Sequence, residues 1–156
     1  MTNWSAASSN NAGGVSPELQ FSWNPDFIGL SQLLSCNITG ANSHNHELSF
    51  ILYLDDFSAT PSPYIGVAVS YDGGTTSSTL WEVLPTGNIG PETVTVNFTT
   101  PAMSDAVDFQ VIFYTNGNSY NIDYWYIDDV VITDLDWVPV ELSSFNASLI
   151  KFVYFI

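Results

Sequence analysis

The sequence contains no arginine and a single lysine, Lys151, against sixteen aspartate and glutamate residues. Its formal net charge at pH 7 is therefore −15. Nucleic acids are held largely through Lys and Arg contacts to phosphate, so this composition excludes nucleic acid as a partner. The same negative charge excludes anionic membrane surfaces and phosphorylated ligands.

Cysteine and long apolar runs are equally scarce. Cys36 is the only cysteine, which excludes an intrachain disulfide framework. No apolar run reaches the roughly 18 residues that span a bilayer, so we predict no membrane insertion. Residues 1–14 lack the basic and apolar segments of a signal peptide. The chain is therefore predicted either to be cytoplasmic or to begin after a leader that has been removed.

The sequence does contain enough apolar material for a core. Of its 156 residues, 46% are hydrophobic and 15% aromatic, whereas 11% are charged. This balance is opposite to that of a disordered acidic chain, and the length is typical of one domain.

Strict alternation is the dominant pattern along the chain. Leu48, Phe50, Leu52 and Leu54 share one face of an extended run, which indicates a half-buried strand. No stretch shows a helical apolar stripe, and turn residues separate the alternating runs. We predict an all-β fold, an antiparallel two-sheet jelly-roll sandwich. Its nine strands are predicted over residues 18–23, 32–38, 47–56, 64–71, 79–84, 92–99, 106–115, 121–133 and 138–149.

The two ends of the chain are predicted to differ from the central module at 16–136. Residues 1–15 are interpreted as a flexible lead. Residues 137–156 are interpreted as a connector and terminal strand, the start of a following domain. Because 149–156 is nearly all apolar, that strand must pair with this domain, pair with another subunit or continue into the next domain. Self-association through it is one of these predictions.

A glycosidase uses a pair of carboxylates, and the sequence offers two candidate pairs. Asp123 and Asp129 share a strand face, but six residues of strand separate them by roughly 20 Å, far beyond the roughly 5–9.5 Å that such enzymes use. Asp134 and Asp136 have suitable spacing but lie in a predicted connector. With no nucleophile elbow and no phosphate-binding glycine loop either, we predict no catalytic residues and no enzyme.

His44 and His46 flank Asn45 in a polar segment. Alternate spacing can place two imidazoles on one side to bind a transition metal. No cysteine accompanies them, so a surface loop is the favoured interpretation.

Asp128 is the most informative carboxylate. If Val130 and Ile132 point into the core, alternation directs Asp128 inward as well, where its charge needs a partner. That partner is either a set of backbone N–H groups at the strand end or a bound cation.

Aromatic side chains are the candidates for ligand binding, because sugar rings stack on flat aromatic faces. Trp125 has the opposite parity to Asp128 and is predicted on the outer sheet surface, unless another strand or the C-terminal segment covers it. Tyr64 and Tyr71 are further aromatics of this kind. The predicted ligand-binding residues are Trp125, Tyr124, Tyr126 and Trp81.

Four segments resemble a known group of domains when read in order. They are 16–21 (SPELQF), 48–50 (LSF), 69–74 (VSYDGG) followed by Trp81, and 120–132 (YNIDYWYIDDVVI). Together they resemble MAM-like and cleaved-adhesin-like jelly rolls over residues 16–133. The resemblance implies a non-catalytic appendage of a secreted or cell-surface bacterial protein. Residues 137–147 are similar to the segment that precedes a type IX sorting region in Bacteroidota-type secreted proteins.

The resemblance also implies a site and a function. Calcium-bearing modules of this kind carry an acidic residue on the first strand and an aspartate on the last, and Glu18 and Asp128 match these positions. Asp129 and Asp55 are the further metal ligands that it suggests for a structural Ca²⁺ ion. The implied function is adhesion to glycans or other cell-surface macromolecules. The alternative is a structural or assembly domain that provides spacing or subunit contacts.

Overall fold

The computed structural model of the chain describes residues 3–57, 62–103 and 107–137. In these ranges the regular structure consists of strands and one 3-10 turn, Ser119–Asn121. The strands are β1 (Trp4–Ala7), β2 (Glu18–Ser22), β3 (Ile28–Leu34), β4 (Ile38–Gly40), β5 (Asn45–Asp56), β6 (Tyr64–Ser70), β7 (Ser78–Val83), β8 (Ile89–Thr99), β9 (Val107–Asn118) and β10 (Ile122–Asp134).

The strands form two antiparallel sheets. The first sheet has the order β1-β2-β10-β5-β8, and the second has the order β3-β9-β6-β7, with β4 also paired to β9. Strands that are far apart in sequence are neighbours in space, as in a jelly roll. The predicted fold class is confirmed.

The core lies between the two sheets and follows the alternation of the sequence. Along β5, the four leucine and phenylalanine residues that share one face are completely buried. They meet inward-facing residues of the second sheet, among them Val67 of β6 and Phe113 of β9. Phe50 and Phe113 make an edge-to-face contact with ring centroids 5.2 Å apart. Burial of these side chains is the main stabilising term for the sandwich.

Two strand predictions differ from the structure. The strand predicted over 32–38 is wrong, because β3 ends at Leu34 and β4 begins at Ile38, each pairing with a different part of β9. In the predicted flexible lead, Trp4–Ala7 forms an edge strand against β2. Four residues are too few for alternation to be visible, and the pairing depends on Trp4 packing into the core. The strand predicted at 138–149 lies outside the described residues.

The last strand, β10, contains a β-bulge. Its register against β5 shifts between Asp128 and Val131, and Asp129 has a positive φ of 48°. The extra residue reverses the parity of everything that follows. Trp125 therefore faces the core before the bulge, as Ile132 does after it.

The bulge explains why two sequence predictions are wrong. Parity with Ile132 predicts that Asp128 points inward, but it lies on the outer face of the first sheet with Tyr126. The opposite parity predicts that Trp125 points outward, but it is completely buried. Its ring packs edge-to-face on Trp4 and Phe113, with ring centroids 5.8 Å and 6.1 Å away.

In the part of the chain that the structure describes, there is no helix with the length and apolar character needed to cross a membrane.

Candidate functional site

A shallow groove of about 230 Å³ runs over the outer face of the second sheet. It is lined by polar and apolar side chains from β3, β7 and β9 and from the turn before β7. We call it the second-sheet groove, and its residues are Leu30, Gln32, Ser77, Thr79, Glu82, Tyr114 and Asn116.

Tyr114 forms the floor of the groove. Its strand neighbours are Gln32 of β3 and Gly66 of β6, and Gly66 in turn pairs with Glu82 of β7. A Cβ atom on Gly66 would stand 2.6 Å from Cζ of Tyr114, so the ring lies where only glycine leaves room. The phenol then reaches across β6 and donates a 2.6 Å hydrogen bond to Oε2 of Glu82.

The environment of this phenol keeps it protonated. Burial raises the pKa of Tyr114, and the hydrogen bond to Glu82 raises it further. The hydroxyl also lies 3.3 Å from Oγ1 of Thr79. Glu82 is exposed on its other side, so the groove offers a fixed carboxylate to a ligand that donates hydrogen bonds.

The rim of the groove carries an exposed aromatic residue. Asn116 of β9 pairs with Leu30 on one side and with Tyr64 on the other, which places these three side chains in a row across three strands. Leu30 is 56% exposed and Tyr64 is 42% exposed. The row spans about 10 Å at the usual strand spacing. An apolar surface with an amide at its centre is suited to a ring that carries hydroxyl groups.

The turn between β6 and β7, residues 71–77, lies beside the groove and contributes Ser77 to it. Gly74 of this turn contacts Leu34, which packs on a small apolar cluster formed by Ala68, Ile112 and Tyr114. Asp72 holds the turn by accepting hydrogen bonds from the backbone N–H and the hydroxyl of Thr76, at 2.8 Å and 2.7 Å. These bonds lower the pKa of Asp72. Gly74 has a φ of +85° and lies against Leu34, where a side chain would collide.

The first sheet has a different outer face, built around tyrosine rings. Tyr53 and Tyr126 pair across β5 and β10 and stack with centroids 6.2 Å apart, and Tyr124 lies 5.8 Å from Tyr126. The hydroxyls of Tyr126 and Tyr53 each accept a hydrogen bond: Gln20 Nε2 donates to Tyr126 at 3.1 Å, and Asn88 Nδ2 donates to Tyr53 at 3.2 Å. Tyr126 is only 7% exposed, and its burial raises its pKa.

The four aromatic residues predicted to bind ligand are not brought together. Tyr124 and Tyr126 share the outer face of the first sheet, whereas Trp125 between them is in the core. Trp81 packs its ring toward the interior, edge-to-face on Phe50 at 6.0 Å. None of the four lines the second-sheet groove.

The four predicted metal ligands are not brought together either: only Glu18 and Asp128 lie opposite each other. Glu18 is 2% exposed, and its two carboxylate oxygens accept the backbone N–H groups of Asn11 and Ala12, each at 2.8 Å. The register that pairs Ile127 with Leu19 brings Asp128 opposite Glu18.

Asp129 donates its backbone N–H to Oδ1 of Asp128 at 2.8 Å, but neither its side chain nor that of Asp55 joins this pair. Asp129 is exposed at the bulge. Asp55 pairs with Tyr124, about 13 Å along β10 from Asp128 at the usual strand rise. Within residues 3–57, 62–103 and 107–137, no three or more His, Cys, Asp or Glu side chains are grouped so that they could hold a metal ion.

Sequence reasoning did not identify Gln32, Glu82, Tyr114 and Asn116 as site residues. The sequence contained part of this information. Alternation along the correctly predicted strand at 64–71 places residues 64, 66 and 68 on one face of the sheet. Which strands lie beside them is a property of the sheet order, which no local pattern reveals.

No family model and no curated protein matches the sequence. Solved structures do match the fold. A family 16 carbohydrate-binding module is 19% identical with a TM-score of 0.56, over 85% of this chain and 86% of that one. The K3 cleaved adhesin domain of Lys-gingipain from Porphyromonas gingivalis is 13% identical with a TM-score of 0.50, over 86% and 93%.

A tandem of two family 22 carbohydrate-binding modules from Paenibacillus barcinonensis Xyn10C is also similar. It is 13% identical with a TM-score of 0.51, over 86% of this chain and 46% of that one. At these identities, the matches define the class of fold: a jelly-roll sandwich of the kind found in carbohydrate-binding modules and cleaved adhesin domains.

Proposed function

We propose that this protein is a non-catalytic glycan-binding module and that the second-sheet groove is its binding surface. The observation that carries the proposal is the row Leu30, Asn116 and Tyr64, which places an exposed aromatic residue beside an exposed amide. Similarity of fold to carbohydrate-binding modules supports it.

The charges of the chain disfavour anionic glycans in this groove. Glu82 places a carboxylate in the groove, and the only basic residue of the sequence is Lys151. A sulfate or uronate group would meet a negative charge with no cation to offset it. Neutral hydroxyls, in contrast, can donate to Glu82 and exchange hydrogen bonds with the amides of Gln32 and Asn116.

Affinity electrophoresis in gels that contain polysaccharide tests this proposal. We expect retardation by at least one neutral polysaccharide and none by sulfated or uronate-rich ones. Tyr64→Ala and Gln32→Ala should each weaken binding about tenfold, the equivalent of about 1.4 kcal/mol. Tyr124→Ala is the matched control, because it removes a partly exposed tyrosine from the opposite sheet. Binding that is lost in Tyr124→Ala but retained in Tyr64→Ala would move the site to the first sheet.

We also propose one structural Ca²⁺ ion held by Glu18 and Asp128. Oδ2 of Asp128 is buried without a hydrogen-bond partner, an arrangement that a cation would correct. Gly14 closes over this carboxylate, and a side chain there would overlap it. The Glu18 oxygens keep lone pairs beyond the two N–H bonds, and backbone carbonyls or water supply the other oxygens that calcium prefers.

Thermal melting with Ca²⁺ and with chelator tests the ion. A cation that binds only the folded state raises the melting temperature, and Asp128→Asn should abolish this increase. Asp129→Asn is the control, since that side chain is exposed at the bulge. An unchanged midpoint in the unmodified protein would refute the calcium proposal and leave the glycan proposal intact.

A structural or assembly domain is the second candidate. One observation favours it: Val130, Val131, Leu135 and Trp137 are exposed apolar residues at the end of β10. Self-association through 138–156 concerns residues outside the described ranges. Sedimentation of the full chain and of a chain ending at residue 137 measures it directly, and a monomer in both would remove this candidate.

The proposed location is secreted or on the cell surface, with residues 137–147 leading toward a type IX sorting region. Fold similarity to the cleaved adhesin domain supports an extracellular role. Fractionation of the native host into medium, surface and cytoplasm tests it.

A further inference from the structure

A second cavity, also of about 230 Å³, lies at one end of the sandwich and is separate from the second-sheet groove. We call it the histidine pocket. Ile38, Phe109 and Ile132 form its apolar wall, and His46 and Asp134 supply polar groups. Gly40 borders it so closely that a Cβ atom there would stand 3.2 Å from Nε2 of His46.

The imidazole of His46 is buried and held in one orientation. It is 3% exposed, stacks on Phe98 with centroids 5.3 Å apart and meets Phe109 edge-on at 5.5 Å. Nδ1 lies 3.1 Å from the carbonyl oxygen of His44, which can only accept, so Nδ1 carries the proton. In the neutral ring, Nε2 is therefore a hydrogen-bond acceptor.

Asp134 faces the same pocket and is also held in place. His44 Nδ1 lies 2.8 Å and 3.0 Å from its two carboxylate oxygens, and the N–H of Asp136 donates to Oδ1 at 3.0 Å. Although burial acts in the opposite direction, these bonds lower the pKa of Asp134 below its ordinary value. Asp134 is therefore ionised at neutral pH.

The two polar groups of the pocket are both acceptors. Nε2 of His46 and Oδ2 of Asp134 are 4.0 Å apart, which is too long for a hydrogen bond between them. A single donor atom can stand about 2.9 Å from both, because 4.0 Å is less than twice that distance. A hydroxyl has one hydrogen and can serve only one of the two acceptors, whereas an ammonium group has three.

The surroundings also favour a cation. The Asp134 carboxylate supplies the opposite charge, and the ring of Phe109 can attract a cation through its π electrons. A transition-metal ion, which an imidazole would attract, takes three or four protein ligands, and His46 and Asp134 are the only His, Cys, Asp or Glu side chains among the described residues that line this pocket. The apolar wall can hold the carbon skeleton that bears the nitrogen.

We propose that the histidine pocket binds a primary ammonium group, with His46 Nε2 and Asp134 Oδ2 as its two acceptors. An amino sugar and a lysine side chain both present this chemistry. The proposal is independent of glycan binding in the second-sheet groove.

The test uses the full chain in NMR and calorimetric titrations at pH 7.5 and 150 mM NaCl. Glucosamine represents an amino sugar, n-butylamine represents a lysine side chain, and glucose is the uncharged analogue. We expect saturable shifts of the His46 ring resonances with at least one amine and none with glucose. Tighter binding of glucosamine would indicate an amino sugar as the ligand, and tighter binding of n-butylamine would indicate a lysine side chain.

Variants separate the pocket from general attraction to a negative chain. Asp134→Asn and His46→Phe should each weaken amine binding at least tenfold; the second keeps the stacked ring and removes Nε2. Asp136→Asn is the matched control, because its Oδ2 accepts from Asn45 rather than facing the pocket. Tyr64→Ala should leave amine binding unchanged.

Two results would overturn the proposal. Glucose shifts as large as those with glucosamine would show a hydroxyl site. Equal losses in Asp136→Asn and Asp134→Asn would show that only net charge attracts the amine. If His46→Phe does not fold, Asp134→Asn still decides the outcome, since Asp134 is partly exposed and its replacement preserves shape.

Discussion

Tyr114 donates a 2.6 Å hydrogen bond to Glu82 across an intervening strand, and it does so through the space that Gly66 leaves. Gly66→Ala should displace the phenol, because Cβ would also stand 2.8 Å from the carbonyl oxygen of Trp81. We expect a loss of about 1–3 kcal/mol in unfolding free energy, as for other overpacked sites, together with loss of glycan binding. Urea denaturation and affinity electrophoresis measure both.

Tyr114→Phe is the control for that prediction. It keeps the ring and removes only the hydroxyl, so its stability loss should be near the value of one hydrogen bond, about 1 kcal/mol. If Gly66→Ala is as stable and binds as well as the unmodified protein, Tyr114 does not form the floor of the groove.

Trp125→Ala should be among the most destabilising substitutions in the chain. The side chain is completely buried between Trp4 and Phe113, and such a truncation typically removes about 3–5 kcal/mol. Trp125→Phe should lose less, since it also removes an indole N–H that is buried without a partner. Urea denaturation measures these losses. A change of less than about 0.5 kcal/mol in the unfolding free energy of Trp125→Ala, as is usual for exposed positions, would contradict the burial of Trp125.

Glu18→Gln should loosen the segment before β2. Each carboxylate oxygen of Glu18 accepts one backbone N–H, from Asn11 or Ala12. An amide has one acceptor oxygen and would turn its NH₂ toward the other N–H, at a cost of about 1–3 kcal/mol. Glu92→Gln, at an exposed position of β8, is the control. Hydrogen exchange at the N–H groups of Asn11 and Ala12 reports the local effect.

Asp123→Asn should stabilise the protein at neutral pH. Burial raises the pKa of Asp123, and the charges of Asp55 and Asp56 raise it further. Because the pKa of Asp123 is higher in the folded state than in the unfolded state, the protein loses unfolding free energy as pH rises through these two pKa values. At lower pH, where the carboxyl group is protonated in both states, that loss is absent. The asparagine variant carries no such charge, so its advantage should appear at pH 7 and vanish near pH 3.

Urea midpoints of both proteins at several pH values check this sign. Asp26→Asn, at an exposed position in the loop between β2 and β3, controls for the change in net charge. An advantage of Asp123→Asn that stays constant down to pH 3 would mean that repulsion of the ionised carboxylate is not its cause.

Most of the fold could be predicted because burial and alternation coincide. The run Leu48, Phe50, Leu52 and Leu54 reads directly as one buried face, and the structure buries all four. Alternation failed at Trp125 and Asp128 for one reason. The bulge at Asp129 reverses the parity of β10, so residues on either side of it cannot be compared by counting.

The sequence by itself determined the all-β class and the inward face of β5, because both follow from the spacing of apolar residues. Tertiary structure alone decided that Tyr64, Asn116 and Leu30 form one row and that His46 faces Asp134, whose positions are 88 residues apart in the chain. Such juxtapositions arise from which strands become neighbours. That choice depends on the packing of the whole sandwich, which no single segment encodes.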